Sequence, residues 1–117
     1  MSVNEIFERK TGNIKNIGIA FKYESRQGMI NMYKEFRSTT LCGAVSQLYN
    51  DMAGRHSGRS ETVHIIKTVV LRPKDCVRPK SIQFNECALK YPKITEGKRA
   101  PTAVHKATFT ASRPTVI

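Results

Sequence analysis

The sequence has 117 residues, enough for one domain and a short extension but not for two complete hydrophobic cores. It contains 20 lysines and arginines against 9 aspartates and glutamates, which gives a net charge of +11. A charge of this size favours a polyanionic partner, most often nucleic acid, with an anionic membrane surface as the competing partner. The longest apolar runs, 17–21 and 69–71, are too short to span a bilayer, and no signal-peptide core follows Met1, so no membrane partner is expected.

The first predicted element is a short strand over Val3–Arg9, followed by a turn at Thr11–Asn13. A clearer strand then runs from Ile17 to Tyr23. Apolar residues occupy every second position of this strand, and small or polar residues occupy the positions between them. This alternation predicts a strand with one buried face and one face of different character.

A tight turn is predicted at Glu24–Gly28, where Gly28 can adopt the positive φ that hairpin turns require. The returning strand covers Ile30–Phe36, although Lys34 interrupts its apolar alternation. We expect the two strands to pair as an antiparallel hairpin.

An amphipathic helix is predicted from residue 39 or 40 to Gly54, with a threonine hydroxyl available to cap its first turn. Its apolar residues are Leu41, Ala44, Val45, Leu48, Tyr49 and Met52. Their spacing forms one stripe on a period of 3.6 residues, which indicates a face that packs on the sheet. A cationic cluster of Arg55, His56 and Arg59 follows the predicted end of the helix.

A third strand is predicted over Thr62–Leu71. Four of its apolar residues are expected to share a side: Val63, Ile65, Val69 and Leu71. The order strand–strand–helix–strand predicts an α+β fold, a small antiparallel sheet with one main helix packed on one face. We assign residues 1–71 to this α+β module.

Residues 72–117 differ in composition from the module. They carry 10 basic and 3 acidic residues, against 10 and 6 in residues 1–71, and they contain all five prolines. We expect a basic extension with one or two short strands in Ser81–Tyr91 and an extended tail from Thr95 to Ile117. The tail has too little apolar surface to order itself, so a partner is expected to order it.

Basic side chains concentrate in the predicted loops and in the extension. The candidate RNA-binding residues are Arg26, Arg55, His56, Arg59, Arg72, Lys74, Arg78, Lys80, Lys90, Lys93, Lys98, Arg99, Lys106 and Arg113. Guanidinium groups suit phosphate oxygens in a bidentate geometry, and lysines act as mobile point charges. Tyr23, Tyr33, Phe84 and Tyr91 are candidates to stack on bases, with packing in the core or sheet as the alternative for most of them.

The sequence contains few signs of catalytic chemistry. His56, His64 and Lys67 have the residue types of a ribonuclease-like acid, base and charge stabiliser, but His64 falls on a predicted strand and His56 has no identifiable partner carboxylate. GxGxxG, GxxxxGK and GxSxG motifs do not occur. We therefore predict that the protein is not an enzyme and has no cofactor or small-molecule substrate, with a small nuclease as an alternative.

The cysteines make a metal site equally hard to support. Cys42, Cys76 and Cys87 are odd in number and form no CxxC pair and no Cys/His cluster. This pattern indicates neither a disulfide framework nor a zinc site. We expect a reduced, soluble and intracellular protein without a bound metal.

The segment from Tyr23 to Arg59 resembles the family of eukaryotic large-subunit ribosomal protein eighteen-a, also called large-subunit protein twenty, whose archaeal relative is LX. The matching residues of this segment are Tyr23, Ser25, Arg26, Gly28, Asn31, Met32, Tyr33, Arg37, Gly43, Ala44, Val45, Tyr49, Met52, Arg55, His56 and Arg59. Downstream the match continues in order through Ile65, Lys67, Cys76, Arg78, Gln83, Phe84, Lys90, Tyr91, Pro92, Arg113 and Pro114. Ile82, Asn85 and Ala88 depart from it, because the family usually has basic residues or histidine there.

The resemblance implies a structural component of the large (60S) ribosomal subunit without catalytic activity. It implies binding to large-subunit rRNA and to neighbouring ribosomal proteins, with 5S rRNA as a further candidate partner. It also implies a location on cytoplasmic ribosomes, and in the nucleolus during assembly. The family duplicates a small α+β module before a basic extension, and this sequence is expected to correspond to the second module and the extension. A free regulatory RNA-binding or adaptor protein acting off the ribosome is the alternative.

Overall fold

A computed structural model of the chain describes residues 1–92, 100 and 102–106. Its strands are β1 (Lys15–Ser25), β2 (Gly28–Ser38) and β3 (Val63–Leu71), and its helices are α1 (Leu41–His56) and the short α2 (Pro79–Gln83). Single turns of 3₁₀-helix cover Ser60–Thr62, Pro73–Asp75 and Ala103–His105. Most of the predicted tail lies outside the described residues, and so do the candidate residues Lys93, Lys98, Arg99 and Arg113.

The three strands form one antiparallel sheet in the order β2-β1-β3. The predicted hairpin is formed by β1 and β2, and Ser25 pairs with Gly28 at its turn. Gly28 has a φ of 127°, the positive value that the sequence predicts there. The predicted α+β fold, with one main helix on an antiparallel sheet, is confirmed. Because β1 is central, β2 and β3 form the two edges.

The face of the sheet that carries α1 holds the hydrophobic core, and we call it the helix face. Its buried residues are Ile17, Ile19, Phe21, Tyr23, Phe36, Ala44, Leu48, Met52 and Val63. All but two of these come from the alternation of β1 and the stripe of α1 that the sequence predicts. Removal of this apolar surface from water is the main favourable contribution to folding.

Helix α1 begins as predicted, because the Thr40 hydroxyl accepts the Gly43 N–H at 3.1 Å. The predicted end at Gly54 is wrong, since the helix continues to His56 and ends where Ser57 adopts a left-handed φ of 52°. A glycine costs a helix only about 1 kcal/mol, and the ion pair between Arg55 and Asp51, one turn apart, supports the last turn. Arg55 and His56 are therefore helical residues.

Strand β3 contains a β-bulge that its apolar pattern does not predict. Ala20 pairs with Lys67 but Phe21 pairs with Ile65, so one residue of β3 is left over. Val63 and Ile65 consequently lie on the helix face, whereas Val69 and Leu71 lie on the opposite face. The prediction that these four side chains share a side is wrong.

The strand predicted over Val3–Arg9 is not formed. Instead the Glu8 carboxylate accepts the Leu41 N–H at 2.8 Å and contacts Lys15 at 3.3 Å. That places an anionic group at the N-terminus of α1, where it is favourable.

Residues 81–91 form no strand either, which corrects the second expectation about short strands. Helix α2 takes the first part of this segment, with Pro79 in its first turn, the position that proline tolerates best. The segment lies across the second face of the sheet, opposite α1. Val77 and Arg78 donate their N–H groups to Glu35 there, and Asn85 accepts from Asn16 at 2.8 Å.

Candidate nucleic-acid interface

Three of the candidate residues lie at one end of the sheet, which we call the hairpin end: Arg26, His56 and Arg59. Arg26 is exposed in the turn between β1 and β2. The His56 ring lies 5.6 Å from the ring of Tyr23, so the end of α1 reaches the same place. Arg59 is exposed in the link that leads to β3, whose first residue pairs with Tyr23.

A second cationic region is a groove along the outer edge of β2, with a volume of about 380 Å³. We call it the edge groove; it is lined by Met32, Tyr33, Lys34, Glu35, Phe36, Asp51, Arg55, Arg78, Pro79 and Lys80. Helix α1 forms one wall and the start of α2 forms the other. Four cationic side chains against two carboxylates leave this groove positive.

Asp51 holds two of these cations in place. Its carboxylate pairs with Lys34 on β2 and accepts the Arg55 Nε–H at 2.8 Å. Burial acts to raise the pKa of Asp51, but the hydrogen bond and charge of Lys34, with the charges of Arg55 and Lys80, outweigh it and lower the pKa. The carboxylate therefore stays ionised and orients Lys34 and Arg55 along the groove.

Glu35 fixes the opposite wall. This buried carboxylate accepts the Val77 N–H at 2.9 Å, the Arg78 N–H at 3.2 Å and the Tyr33 hydroxyl at 2.9 Å. Burial acts to raise the pKa of Glu35, but these hydrogen bonds outweigh it and lower the pKa. Burial and the hydrogen bond to Glu35 raise the pKa of Tyr33 to about 12. Glu35 thus anchors the chain that carries Arg78 and Lys80.

Arg78 itself is held against the sheet. Its guanidinium donates to the Tyr33 carbonyl oxygen at 2.9 Å and lies 5.8 Å from the centre of the Tyr33 ring. Part of its donor capacity is therefore used within the protein. The Lys80 side chain, by contrast, forms no ion pair within the described part of the chain.

A smaller cavity of about 260 Å³ continues beside the edge groove. It is lined by Glu35, Phe36, Arg37, Gln47, Lys80, Ser81 and Phe84. Phe84 and Tyr91 lie with their ring centres 6.1 Å apart, and the Arg37 guanidinium is 5.8 Å from the centre of the Phe84 ring. Of the four aromatic candidates for base stacking, these two are exposed, whereas Tyr23 is buried in the core and Tyr33 is tied to Glu35.

The remaining described candidates lie elsewhere. Arg72 and Lys74 are at the end of the sheet opposite the hairpin end, where Leu71 pairs with Asn16, and Arg72 forms an ion pair with Asp75 at 2.8 Å. Lys90 and Lys106 are exposed in the extension. These four residues make the positive surface broad rather than confined to one site.

A family model that describes ribosomal proteins of the 50S and 60S subunits, namely protein eighteen-a and 60S-L20, matches residues 5–69. The "Large ribosomal subunit protein eL20" of Tetrahymena thermophila is 44% identical over 115 residues, which is 98% of this chain and 61% of that protein. The chain belongs to this family of ribosomal proteins. The eL20 protein of Caenorhabditis elegans is 38% identical over 79% of the chain and 51% of its own length, and that of Spodoptera frugiperda is 39% identical over 91% and 62%. The chain therefore spans about half to three-fifths of the length of these eL20 relatives.

The eL20-type fold brings Arg55, Arg78 and Lys80 together in the edge groove, although they come from distant parts of the sequence. Lys34 belongs to the same groove, but in the sequence it appears only as an interruption of the apolar alternation of β2. The sequence signal for this ion pair was the combination of Lys34 at a helix-face position of β2 and Asp51 beside the apolar stripe of α1. The sequence does not single out Arg37 either, since its partners Asn16 and Asn85 are far apart in sequence.

The structure does not bring together His56, His64 and Lys67, the three residues of the nuclease alternative. The ring of His56 is against Tyr23 on the helix face, while His64 pairs with Lys22 on the opposite face of the sheet. Lys67 also lies on that opposite face, so the three residues do not converge. Among the described residues, no helix is both long and apolar enough to cross a membrane.

Proposed function

We propose that this chain is a structural, non-enzymatic constituent of the large ribosomal subunit that binds large-subunit rRNA through its basic loops and tail. Family membership carries the proposal: residues 5–69 match the ribosomal family model, and the likeness to an eL20 protein extends over 98% of the chain. The net charge of +11 supports a polyanionic partner independently of the family. Neighbouring ribosomal proteins, and 5S rRNA as a further candidate, complete the proposed partners.

Two regions of the chain are suited to RNA. The hairpin end presents Arg26 and Arg59 on exposed loops, and the edge groove presents Lys80 beside oriented cations. Contacts from arginine and lysine to phosphate oxygens carry no sequence information, so recognition through such contacts would depend on the shape and backbone of the RNA. The proposed location is the cytoplasmic ribosome, with the nucleolus during assembly.

We also propose a division of labour after Leu71. Residues 1–71 supply the α+β module, and residues 72–117 supply a more strongly basic extension whose first part docks on the second face of the sheet. Docking fixes the direction in which the extension leaves the module. The tail would then follow RNA away from the module.

Sedimentation of the native protein tests the proposal against a free RNA-binding or adaptor protein. An epitope-tagged full chain, expressed at its natural level, should co-migrate with large subunits on a sucrose gradient and stay with them at moderate salt. The same fractions should lose the tag after ribonuclease treatment. If the protein stays at the top of the gradient, the ribosomal proposal fails and the free RNA-binding or adaptor protein is favoured.

Replacement of Arg26 and Arg59 by alanine should weaken association with large-subunit rRNA while leaving the thermal unfolding of the chain nearly unchanged, because both side chains are exposed. A matched double variant, Arg9→Ala with Lys10→Ala, removes the same charge from the exposed N-terminal segment. Equal losses in the two variants would show that only total charge matters at the hairpin end. Unfolding of the first variant would assign its arginines a structural role.

A further inference from the structure

The edge groove and the smaller cavity beside it are parts of one surface. They share Glu35, Phe36 and Lys80, so together they extend along the outer edge of β2 from Arg55 to Phe84. Strand β1 pairs with the inner edge of β2, and no strand pairs with its outer edge within the described residues. The surface is therefore a continuous channel open to a linear ligand.

The chemistry of this channel changes along its length. Lys34, Arg55 and Lys80 make one part cationic, above a floor that includes the apolar side chains of Met32 and Phe36. The other part ends at Phe84, which is 43% exposed although it is a large aromatic residue. Positive charge followed by an accessible aromatic ring is the combination that single-stranded nucleic acids require, since phosphates need cations and unpaired bases need stacking partners.

We propose that this channel binds an unpaired stretch of RNA, with phosphates beside Lys34, Arg55 and Lys80 and one base stacked on Phe84. The proposal rests on the proposed function and deepens it by naming a class of rRNA element: a loop, bulge or single-stranded linker rather than a duplex. Bases in an A-form duplex are stacked on their neighbours and their faces are inaccessible. Only an extruded base can use the Phe84 ring.

The acidic residues of the channel do not oppose this assignment. Glu35 lines the channel, but both of its oxygens accept hydrogen bonds from the Val77 and Arg78 N–H groups or from the Tyr33 hydroxyl, so its charge is offset within the protein. Asp51 is enclosed by Lys34 and Arg55. Lys80 forms no ion pair with a carboxylate of the described residues, so its charge is available to a ligand.

The Phe84 ring has two neighbours, the Arg37 guanidinium and the Tyr91 ring, which is tilted by 48° with its centre 6.1 Å away. The Arg37 guanidinium lies over the Phe84 ring, and Asn16 and Asn85 hold that guanidinium in place. The ring is therefore fixed in position before RNA arrives.

An acidic peptide would match the cations equally well, but it would give no use to an exposed aromatic ring held by an arginine. The observations therefore favour RNA, and the peptide becomes an outcome of the test. The probes are a fluorescein-labelled uridine decamer, a ten-base-pair RNA duplex of mixed sequence, and a labelled glutamate decamer. Binding of each to the full chain is followed by fluorescence anisotropy over a range of salt concentrations.

Two variants address the channel, each with a matched control. Phe84→Leu removes the aromatic ring but keeps an apolar side chain, and Ile82→Ala changes an exposed apolar residue of α2 that does not line the channel. Lys80→Gln removes one charge from the channel, and Lys67→Gln removes one from β3 at the other edge of the sheet. Circular dichroism and thermal unfolding are measured for every variant to check that the fold is retained.

We expect Phe84→Leu to weaken binding of the uridine decamer about fivefold or more and to change duplex binding by less than about twofold, since stacking is specific to unpaired bases. Lys80→Gln should reduce the salt slope for the decamer by about 0.7, whereas Lys67→Gln should leave it unchanged. The proposal would be overturned if Phe84→Leu weakened binding of the uridine decamer and of the duplex equally. It would also be overturned if the chain bound the glutamate decamer more tightly than the uridine decamer. If the chain still sediments with large subunits in either case, the proposed function stands and only the channel assignment fails.

Discussion

The two faces of the sheet are built on different principles. On the helix face, apolar side chains that recur with strand periodicity in β1 and helical periodicity in α1 pack together, and Ile17, Ile19 and Phe21 are fully buried under α1. The second face is closed by a network of hydrogen bonds, in which Glu35 and Arg37 on β2 hold the segment from Val77 to Asn85. The first face is built from periodic patterns that are local to each element, whereas the second depends on hydrogen bonds between residues more than forty positions apart.

The contrast separates the source of stability from the contacts that position Arg78 and Lys80. Burial of apolar surface is non-directional and tolerates some variation in shape. A buried carboxylate that receives several hydrogen bonds fixes the positions of its donors, and in this chain those donors carry Arg78 and lead to Lys80. The helix face accordingly sets whether the chain folds, while the second face sets where Arg78 and Lys80 lie.

The largest expected effect is on the helix face. Phe21→Ala removes a fully buried aromatic ring, and we expect it to lower the free energy of unfolding by about 3–5 kcal/mol. Denaturant titration followed by circular dichroism measures the change. A loss below about 1 kcal/mol would show that this face is not the main source of stability.

On the second face, Glu35→Ala should cost about 2–3 kcal/mol, because it leaves two backbone N–H groups and the Tyr33 hydroxyl without their acceptor. The loss should be local. Amide hydrogen exchange should rise in residues 77–85 while β1 remains protected, since the helix face is untouched.

Glu24→Ala is the control for this variant, because Glu24 is an exposed carboxylate on β1. It should change stability by less than about 0.5 kcal/mol. Uniform loss of protection across the sheet in Glu35→Ala would contradict the separation between the two faces.

A smaller effect is expected where the two strands approach closely on the second face. A Cβ added to Gly18 would lie 2.7 Å from the Tyr33 hydroxyl oxygen, so Gly18→Ala must displace the group that donates to Glu35. We expect a cost of about 1–3 kcal/mol. In a double-mutant cycle, Tyr33→Phe should absorb a large part of this cost, and strictly additive losses would contradict the contact.

The smallest expected effect is the pH dependence of stability, to which carboxylates on both sides of the sheet contribute. The lowered pKa values of Glu35 and Asp51 contribute stability above their ordinary pKa near 4, and this is lost as the pH falls below it. Tyr33 acts in the opposite direction, since its pKa is raised from 10.0 to about 12. Its contribution is present below pH 10 and is lost between pH 10 and about pH 12. Thermal unfolding should show that Tyr33→Phe removes this alkaline loss and reduces the acidic one without abolishing it, because the Val77 and Arg78 N–H groups still lower the pKa of Glu35.

The sequence was sufficient to predict the helix face. Strict alternation in β1 and the stripe of α1 are local patterns, and each apolar position in them has one available environment. The same reasoning failed in β3, where Ile65 and Ile66 are adjacent and both faces carry apolar residues, so nothing in the pattern locates the bulge. It also failed at Gly54, because a helix end depends on the capping residue, here Ser57, more than on one unfavourable glycine.

The second face was beyond prediction from local patterns. Glu35 meets Val77 and Arg78 only in the folded chain, and a glutamate on a strand ordinarily faces water. The apolar residues of Ser81–Tyr91 favour short strands there, whereas Pro79, just before them, suits the first turn of a helix. The composition of the chain predicts RNA as a partner, but the grouping of Lys34, Arg55, Arg78 and Lys80 depends on these long-range contacts.

The salt dependence of binding tests the central proposal most directly. The full chain is titrated with purified large-subunit rRNA at several salt concentrations, and the logarithm of the binding constant is plotted against the logarithm of the salt concentration. If the hairpin end, the edge groove and the extension together neutralise about 8 phosphates, the slope should be about −6 to −7. An affinity that does not change with salt would contradict an interface built from these cations.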